Sequence, residues 1–366
     1  MSVSKKKRLV GLDIGSHSIK MVEIEYSKHG RTLQNFGLIA TPPGAIVEGS
    51  VKDTEATSAA IKNLFKNLRI RNSNVAISLS GSSVIAKKIA LQKMEEAEIE
   101  KAIQEEAEKY IPYDISEVNL DFTLLDTDTE SGQEGGGDEG PEPTGSNQMD
   151  VLLVAAKRDI IEEHIALIQA ANLNPGVLDA DIFALQNAVE ISMTGPEKCY
   201  AIINLGANEL EINVVSEGIT IFSRDTSYGG AHITEAIMAK FNIDLQEAEK
   251  MKLGGMDLDN EKKEALEQIV TNEVSAWVKE IKRALDFVSS TRSGDPIGKI
   301  IVSGGSCRIP GLQKYLEMET GIPVEQLSPF RNLILDHKHF DPDYLDYMAP
   351  QAGVAVGLSL RSIDDK

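Results

Sequence analysis

The sequence predicts an α/β protein built as two lobes. Its 366 residues outgrow one ordinary core. Hydrophobic residues make up 42% and aromatics 5%, the balance of an ordinary α/β chain. A strand, glycine turn and returning strand occur near the start, and the same unit recurs near the middle.

The first unit is an apolar run, Leu9 to Ile14, ending at Gly15. Val22, Ile24 and Tyr26 then alternate with Glu23 and Glu25, the period of a returning strand. Asp53 can cap a helix whose apolar face is Ala60, Ile61, Leu64, Phe65 and Leu68. Val75, Ile77 and Leu79 alternate as another strand. A smaller unit follows, with strands over 84–91, 118–125 and 151–155 and a charged helix over 95–110 stopped at Pro112. Residues 126–148 are acidic and rich in Gly and Pro, too poor in apolar surface to order themselves. A helix over 159–171 ends at Asn172, with Pro175-Gly176 beyond.

The chain then restarts. Cys199 to Leu205 runs to Gly206, Leu210, Ile212 and Val214 alternate back, and a Glu217-Gly218 turn leads to a further strand over 219–222. Helices are expected over 231–241, 244–253 and 261–289. A strand over 299–302, a Gly304-Gly305 turn and a helix opening at Pro310 follow.

Charge and composition exclude several roles. A net charge of −20 argues against a nucleic-acid surface and against broad adhesion to anionic lipid. Cys199 and Cys307 lack metal-ligand spacing and suit a reducing compartment. No run reaches the roughly 18 apolar residues that cross a bilayer. The basic start, Lys5 to Arg8, reads either as a solvated tail or as a contact for a membrane or partner.

Three glycine turns end apolar strands: Asp13-Ile-Gly-Ser-His-Ser18, Asn204-Leu-Gly-Ala207 and Ser303-Gly-Gly-Ser306. Backbone amides at such turns can converge on phosphate oxygens, and glycine permits close approach. Ser16 and Ser18 add hydroxyls, Lys20 a cation, and Asp13 a carboxylate for hydrated Mg²⁺. Each turn alone reads better as an ordinary ligand-free hairpin, and it is their order and spacing that carry the signal. Neither a Walker A run nor a helix-opening Gly-x-Gly-x-x-Gly is present.

Gly11-Leu-Asp-Ile-Gly-Ser-His-Ser-Ile-Lys-Met-Val-Glu23 resembles the first phosphate motif of the actin-like ATPases. Residues 201–223 are similar to their second phosphate motif and residues 300–311 to their adenosine motif. Residues 179–189 and 349–358 are similar to their two connecting helices. Within that superfamily the chain resembles the PilM family of type IV pilus assembly proteins. Leu178-Asp-Ala-Asp-Ile-Phe-Ala-Leu-Gln-Asn187, Tyr228-Gly-Gly-Ala-His-Ile-Thr234 and Glu280-Ile-Lys-Arg-Ala-Leu-Asp-Phe287 carry that resemblance.

The resemblance implies an actin-like ATPase fold with two lobes around a nucleotide cleft. Subdomain 1A would take residues 9–81, 177–199 and 349–362, and an FtsA/PilM-type subdomain 1C residues 82–176. Subdomain 2A would take 200–230 and 299–348, and subdomain 2B 231–298. The nucleotide, ATP or ADP with Mg²⁺, would meet Asp13, Gly15, Ser16, His17, Ser18 and Lys20 at the first turn. Asn204, Gly206, Ala207, Asn208, Gly229 and Gly230 would serve the second turn, and Gly304, Gly305 and Ser306 the third. The metal would be held by Asp13 through water. Lys282, Arg283 and Asp286 would face the adenine, although by themselves they read as a charged helix face.

Hydrolytic relatives open the second phosphate motif with Asp, where this chain has Asn204, so ATPase activity should be weak or absent. Asp181 reads either as a catalytic carboxylate that orients water or as a helix-start carboxylate. The implied role is a cytoplasmic ATP-binding adaptor, peripheral at the inner membrane through a partner and assembled as a homo-oligomeric ring. It would dock the N-terminal cytoplasmic peptide of PilN in a groove between the first lobe and residues 82–176, and relay to pilus assembly ATPases. Two other readings are an FtsA-like filament protein, whose amphipathic C-terminal helix is not seen here, and a small-molecule kinase of the same fold.

Overall fold

The computed structural model describes residues 8–94, 96–125, 148–291 and 294–364. The basic start before Arg8 and nearly all of the acidic 126–148 segment lie outside the described residues. The chain divides into two compact units, Met1–Ser82 with Glu162–Lys366, and Ser83–Ile161.

Strands β1 (Val10–Ile14), β2 (Ser18–Ser27) and β3 (Gly30–Ala40) form an antiparallel meander. A two-rung hairpin, β4 (Ile46–Val47) and β5 (Ser50–Val51), precedes helix α1 (Thr54–Asn67). Asp53 caps α1, its carboxylate accepting from Ala56 N at 2.8 Å. Strand β6 (Asn74–Leu79) then runs parallel to β1.

The second unit interposes here. It holds β7 (Val84–Gln92), α2 (Glu96–Ala107), β8 (Val118–Leu125) and β9 (Gln148–Lys157). Its sheet order is β7-β9-β8, all antiparallel, over a core that includes Ile99, Ile103, Val151 and Leu153. Helix α3 (Arg158–Ala170) leads back into the first unit, where Leu167 and Ile168 join the core beneath β1 and β6.

Pro175-Gly176 in sequence predicts a break with helix from Asp179, but strand β10 (Asn174–Ala180) forms there as a parallel neighbour of β6, irregular between Pro175 and Val177. Proline is tolerated because β10 is the sheet's edge, where one row of amides needs no partner strand. Helix α4 (Asp181–Ser192) begins two residues later than its sequence suggested.

The restart is β11 (Cys199–Leu205), β12 (Leu210–Ser216) and β13 (Ile219–Thr226). Helices α5 (Gly230–Phe241), α6 (Leu245–Lys252) and α7 (Asn260–Thr291) precede β14 (Ile300–Ser303). Helix α8 (Leu312–Thr320) opens after Gly311, not at Pro310, because a 3₁₀ turn at Gly305–Arg308 intervenes. Strand β15 (Val324–Gln326), α9 (Pro342–Met348) and α10 (Gly353–Ser359) complete the chain.

The two five-stranded sheets have one topology. Their orders, β3-β2-β1-β6-β10 and β13-β12-β11-β14-β15, each place a meander beside two parallel strands. Helices α4 and α10 lie between them: Leu185, Val189, Val354 and Leu358 share one cluster with Leu9 and Ala76 of the first half and Tyr200, Ile202 and Ile301 of the second. The second sheet's other face packs on α5, α7 and α8 around Trp277, which is 1% exposed. Buried aliphatic side chains of this kind contribute roughly 1.5–3 kcal/mol each.

Candidate functional site

The ends of β1, β11 and β14 open toward one cavity of about 400 Å³ in the first unit. Open α/β sheets bind ligands at the carboxyl ends of parallel strands where strand order reverses, and β1–β6 and β11–β14 are those places.

At the first turn Asp13 faces Lys20 across the β1–β2 pair. Lys20 Nζ donates to Asp13 Oδ2 at 2.9 Å and to the Ser18 carbonyl at 3.2 Å. Both side chains are nearly enclosed, so each neutralises the other in a place where a lone charge would be costly. Thr41 fastens the turn by donating its hydroxyl to the Gly15 carbonyl at 2.6 Å and its amide to the His17 carbonyl at 3.0 Å. His17 is held below the ordinary imidazole value by burial, against the opposing charge of Glu249.

The second and third turns are tied to each other. Ser306 Oγ donates to the Gly206 carbonyl at 2.9 Å, and a Cβ on Gly304 would stand 2.3 Å from the Leu205 carbonyl oxygen. Gly304 also has φ +88°, so only glycine fits there. Gly229 and Gly230 do not line the cavity. They let α5 approach the second turn, with Gly230 N donating to the Gly206 carbonyl at 3.1 Å and Ala231 N to that of Ala207 at 2.8 Å.

The cavity brings together Asp13, Gly15, Ser16, His17, Ser18 and Lys20 with Asn204, Gly206, Ala207 and Asn208. Gly304, Gly305, Ser306 and Asp181 complete the expected lining. Lys282, Arg283 and Asp286 lie outside it. Lys282 Nζ donates to the Glu319 carbonyl at 2.9 Å, Arg283 pairs with Glu280 at 3.3 Å, and Asp286 is exposed. They form the charged helix face that their spacing suggests.

Sequence reasoning missed the rest of the acidic wall beside Asp181, and two cations. Asn204 Nδ2 donates to Glu211 Oε2 at 2.6 Å, and Asp181 accepts a short hydrogen bond from Ser78. Burial pushes Asp181 well above the usual carboxylate range, with the Asp13 charge adding to it. Burial does the same to Glu211, followed by the charges of Asp181 and Asp225. Lys252 Nζ donates to the Gly230 carbonyl, Thr234 Oγ1 and Glu249 Oε1 at 3.1, 2.8 and 2.7 Å, which uses all its protons. Arg308 Nε donates to the Gly305 carbonyl at 3.2 Å, and its guanidinium stacks 4.5 Å from the Tyr347 ring centre. Alternation could have flagged Glu211 as an acidic residue opposite Asn204. Nothing local marks Lys252 or Tyr347.

The donor set fits a phosphate-bearing ligand. The amides of Gly15, Gly206 and Gly304 already serve the carbonyls of Ser18, Glu209 and Pro350. Phosphate oxygens would therefore meet the next residues of each turn, with Lys20 as the cation. Among the described residues no cluster of three or more His, Cys, Asp or Glu is arranged to hold a bare metal ion. Magnesium that keeps its water and sits on phosphate needs only nearby carboxylates, which Asp13 supplies.

Duplicated sheets of this order, with two helices between them and paired glycine turns over a cavity, define the actin-like ATPase fold. The family model for the type IV pilus assembly protein PilM matches residues 11–363, and the chain belongs to that family. A solved PilM–PilN type IV pilus biogenesis complex is 28% identical, with a TM-score of 0.82, over 98% of this chain and 99% of that one. The ethanolamine utilization protein EutJ of Carboxydothermus hydrogenoformans shares the fold at 14% identity and a TM-score of 0.55, over 96% and 89% of the two chains. EutJ of Salmonella typhimurium is 25% identical over 154 residues, 40% of this chain and 46% of that relative. This chain thus spans about half the length of the curated relatives it matches. Among the described residues no helix is long and apolar enough to cross a membrane.

Proposed function

We propose that the protein binds ATP or ADP with Mg²⁺ in the cavity and acts as an adaptor of the pilus assembly platform. The observation that carries this is the convergence of three glycine turns, from β1, β11 and β14, on one cavity that also holds Asp13 and Lys20. The turns cradle phosphates, Lys20 meets their charge, and Asp13 steadies metal-bound water. Bound magnesium would screen the phosphate charge. Asn204, being an amide, neither accepts a proton nor neutralises a cation, so turnover is slow. As an adaptor the protein captures the N-terminal cytoplasmic peptide of PilN, stays at the inner membrane through that partner, and works as a ring with the assembly ATPases. The likeness to the solved PilM–PilN complex supports this reading. In the second unit the order β7-β9-β8 leaves two strand edges, the kind of surface an extended peptide extends by backbone hydrogen bonds.

Calorimetry with Mg-ATP on wild type and Asp13→Ala, followed by capture of the PilN N-terminal peptide, tests it. Wild type should bind both, and Asp13→Ala should bind nucleotide at least tenfold more weakly. Equal binding by the two proteins removes Asp13 from the site, and no heat with wild type removes the site altogether.

A further inference from the structure

We propose that Glu209 transmits occupancy of the cavity to the Ser83–Ile161 unit. The proposal rests on the nucleotide reading above for the identity of the occupant.

The chain leaves the first unit after Ser82 and returns at Glu162. Residues just before the departure are cavity residues: Ser78 and Ser80 both line it. The Glu209 carboxylate lies on Gly81, where a Cβ would stand 2.4 Å from Oε1, and Glu209 lines the cavity together with Ser80. Gly81 has φ +61°, so the close approach and the backbone conformation both call for glycine. Glu209 belongs to the second glycine turn, where its carbonyl accepts from Gly206 N at 2.9 Å. One residue therefore joins the phosphate-facing turn to the last residues of the first unit.

The return crossing is fastened differently. Glu163 on α3 accepts from Ser50 Oγ at 2.9 Å and from Val51 N at 3.1 Å. Those residues belong to the β4–β5 hairpin, whose turn residues Glu48 and Gly49 line the cavity, as does His164. Both crossings are anchored on cavity walls, the first by the Glu209 carboxylate and the return by that of Glu163.

A ligand held by the amides of residues 207 and 208 fixes the backbone that carries Glu209, whose carbonyl already holds Gly206 N. Ordering that turn lowers the cost of holding Glu209 on Gly81, so the first crossing stiffens with it. Linkage makes the effect reciprocal: whatever orders this crossing from the second unit raises affinity at the cavity by the same factor.

Hydrogen exchange read by mass spectrometry on the full chain tests this, with Mg-AMP-PNP as probe at concentrations that calorimetry shows to be saturating for each protein. In wild type, AMP-PNP should slow exchange several-fold in peptides over 79–92 and over 160–172. In Glu209→Ala the response over 79–92 should vanish while that over 160–172 persists. Without ligand, Glu209→Ala should already exchange faster than wild type over 79–92 and not over 160–172. Protection of residues 205–210 with no change at 79–92 in wild type would overturn the coupling while leaving nucleotide binding intact. If AMP-PNP gives neither heat nor protection, the nucleotide reading fails first. The ligand-free comparison then decides the latch alone, and equal exchange at 79–92 in the two proteins would overturn it.

Discussion

Asn204 and Glu211 are cross-strand partners on β11 and β12, and the Asn204 amide donates to the Glu211 carboxylate at 2.6 Å. The chain thus keeps a carboxylate at this wall, on the neighbouring strand, and uses the amide to satisfy it. Asn204 is more than a missing acid.

Replacing Asn204 with Asp should therefore destabilise the protein. Two enclosed carboxylates would face each other where an amide–carboxylate bond now lies, with Asp181 and Asp225 already adding negative charge. The expected loss near pH 8 is about 1–3 kcal/mol, the cost of leaving a buried acceptor without its donor. It should shrink toward pH 5, where the pair can share a proton. Thermal melts of both proteins over that range check it, and superimposable curves would remove the proposed role of the amide. Wild-type turnover should remain below roughly 1 s⁻¹, the low end of ordinary enzymatic rates.

Gly357→Ala separates propensity from packing. In an open helix the change would stabilise by about 1 kcal/mol. Gly357 is in α10, and a Cβ there would stand 1.6 Å from the Ala184 carbonyl oxygen of α4. Backbone cannot move aside as a side chain can, so the two helices between the sheets must separate. A loss of several degrees in melting temperature is expected, and a gain would show that α4 and α10 do not meet here.

Much of the architecture was legible because its signals are local. Alternation at Val22, Ile24 and Tyr26, the cap at Asp53 and the echo around Gly206 need no partner in space. Strand β3 carries no such signal because its burial is irregular along eleven residues, and β10 lacks one because Pro175 reads as a breaker until its edge position is known. At the site, the glycine turns declare themselves by strand-ending glycines. Lys252, Glu249 and Arg308 do not, because α6 and the Gly305–Arg308 turn reach the cavity only through tertiary packing.

The ladder that begins with Asn204 and Glu211 continues to Asp225 on β13. Burial, and then the charge of Glu209, raise the Asp225 carboxyl to about 7. Its unfolded value is near 3.9, so between about pH 4 and 7 the folded chain holds a proton that the unfolded chain has released. This contribution stabilises the fold at the acidic end of that window and is lost as pH rises through 7. Asp225→Asn removes the titration while keeping the shape. In chelator-treated protein the variant should exceed wild type by on the order of 1–3 kcal/mol at pH 8, and the two should converge toward pH 4. A difference independent of pH would show that Asp225 titrates as an ordinary surface carboxyl.

Deleting residues 128–145 should leave the melting temperature within a degree or two of wild type. The segment joins β8 to β9, whose pairing already brings Leu125 opposite Asp150. After deletion, residues 126, 127, 146 and 147 connect them, an ordinary length for a hairpin. Shortening a connection lowers the entropic cost of closing it slightly, by a few tenths of a kcal/mol for each modest reduction. The removed residues are acidic and rich in Gly and Pro, so they forfeit little apolar burial. The core of this unit is instead built by Ile99, Ile103, Val151 and Leu153, which the deletion leaves in place. Removing acidic residues from a chain of net charge −20 also relieves self-repulsion, which favours the folded state at low salt. The sign of any shift should accordingly be upward and fade as salt is added. A drop of many degrees, unchanged by salt, would mean that the segment packs against the fold and that its composition misleads.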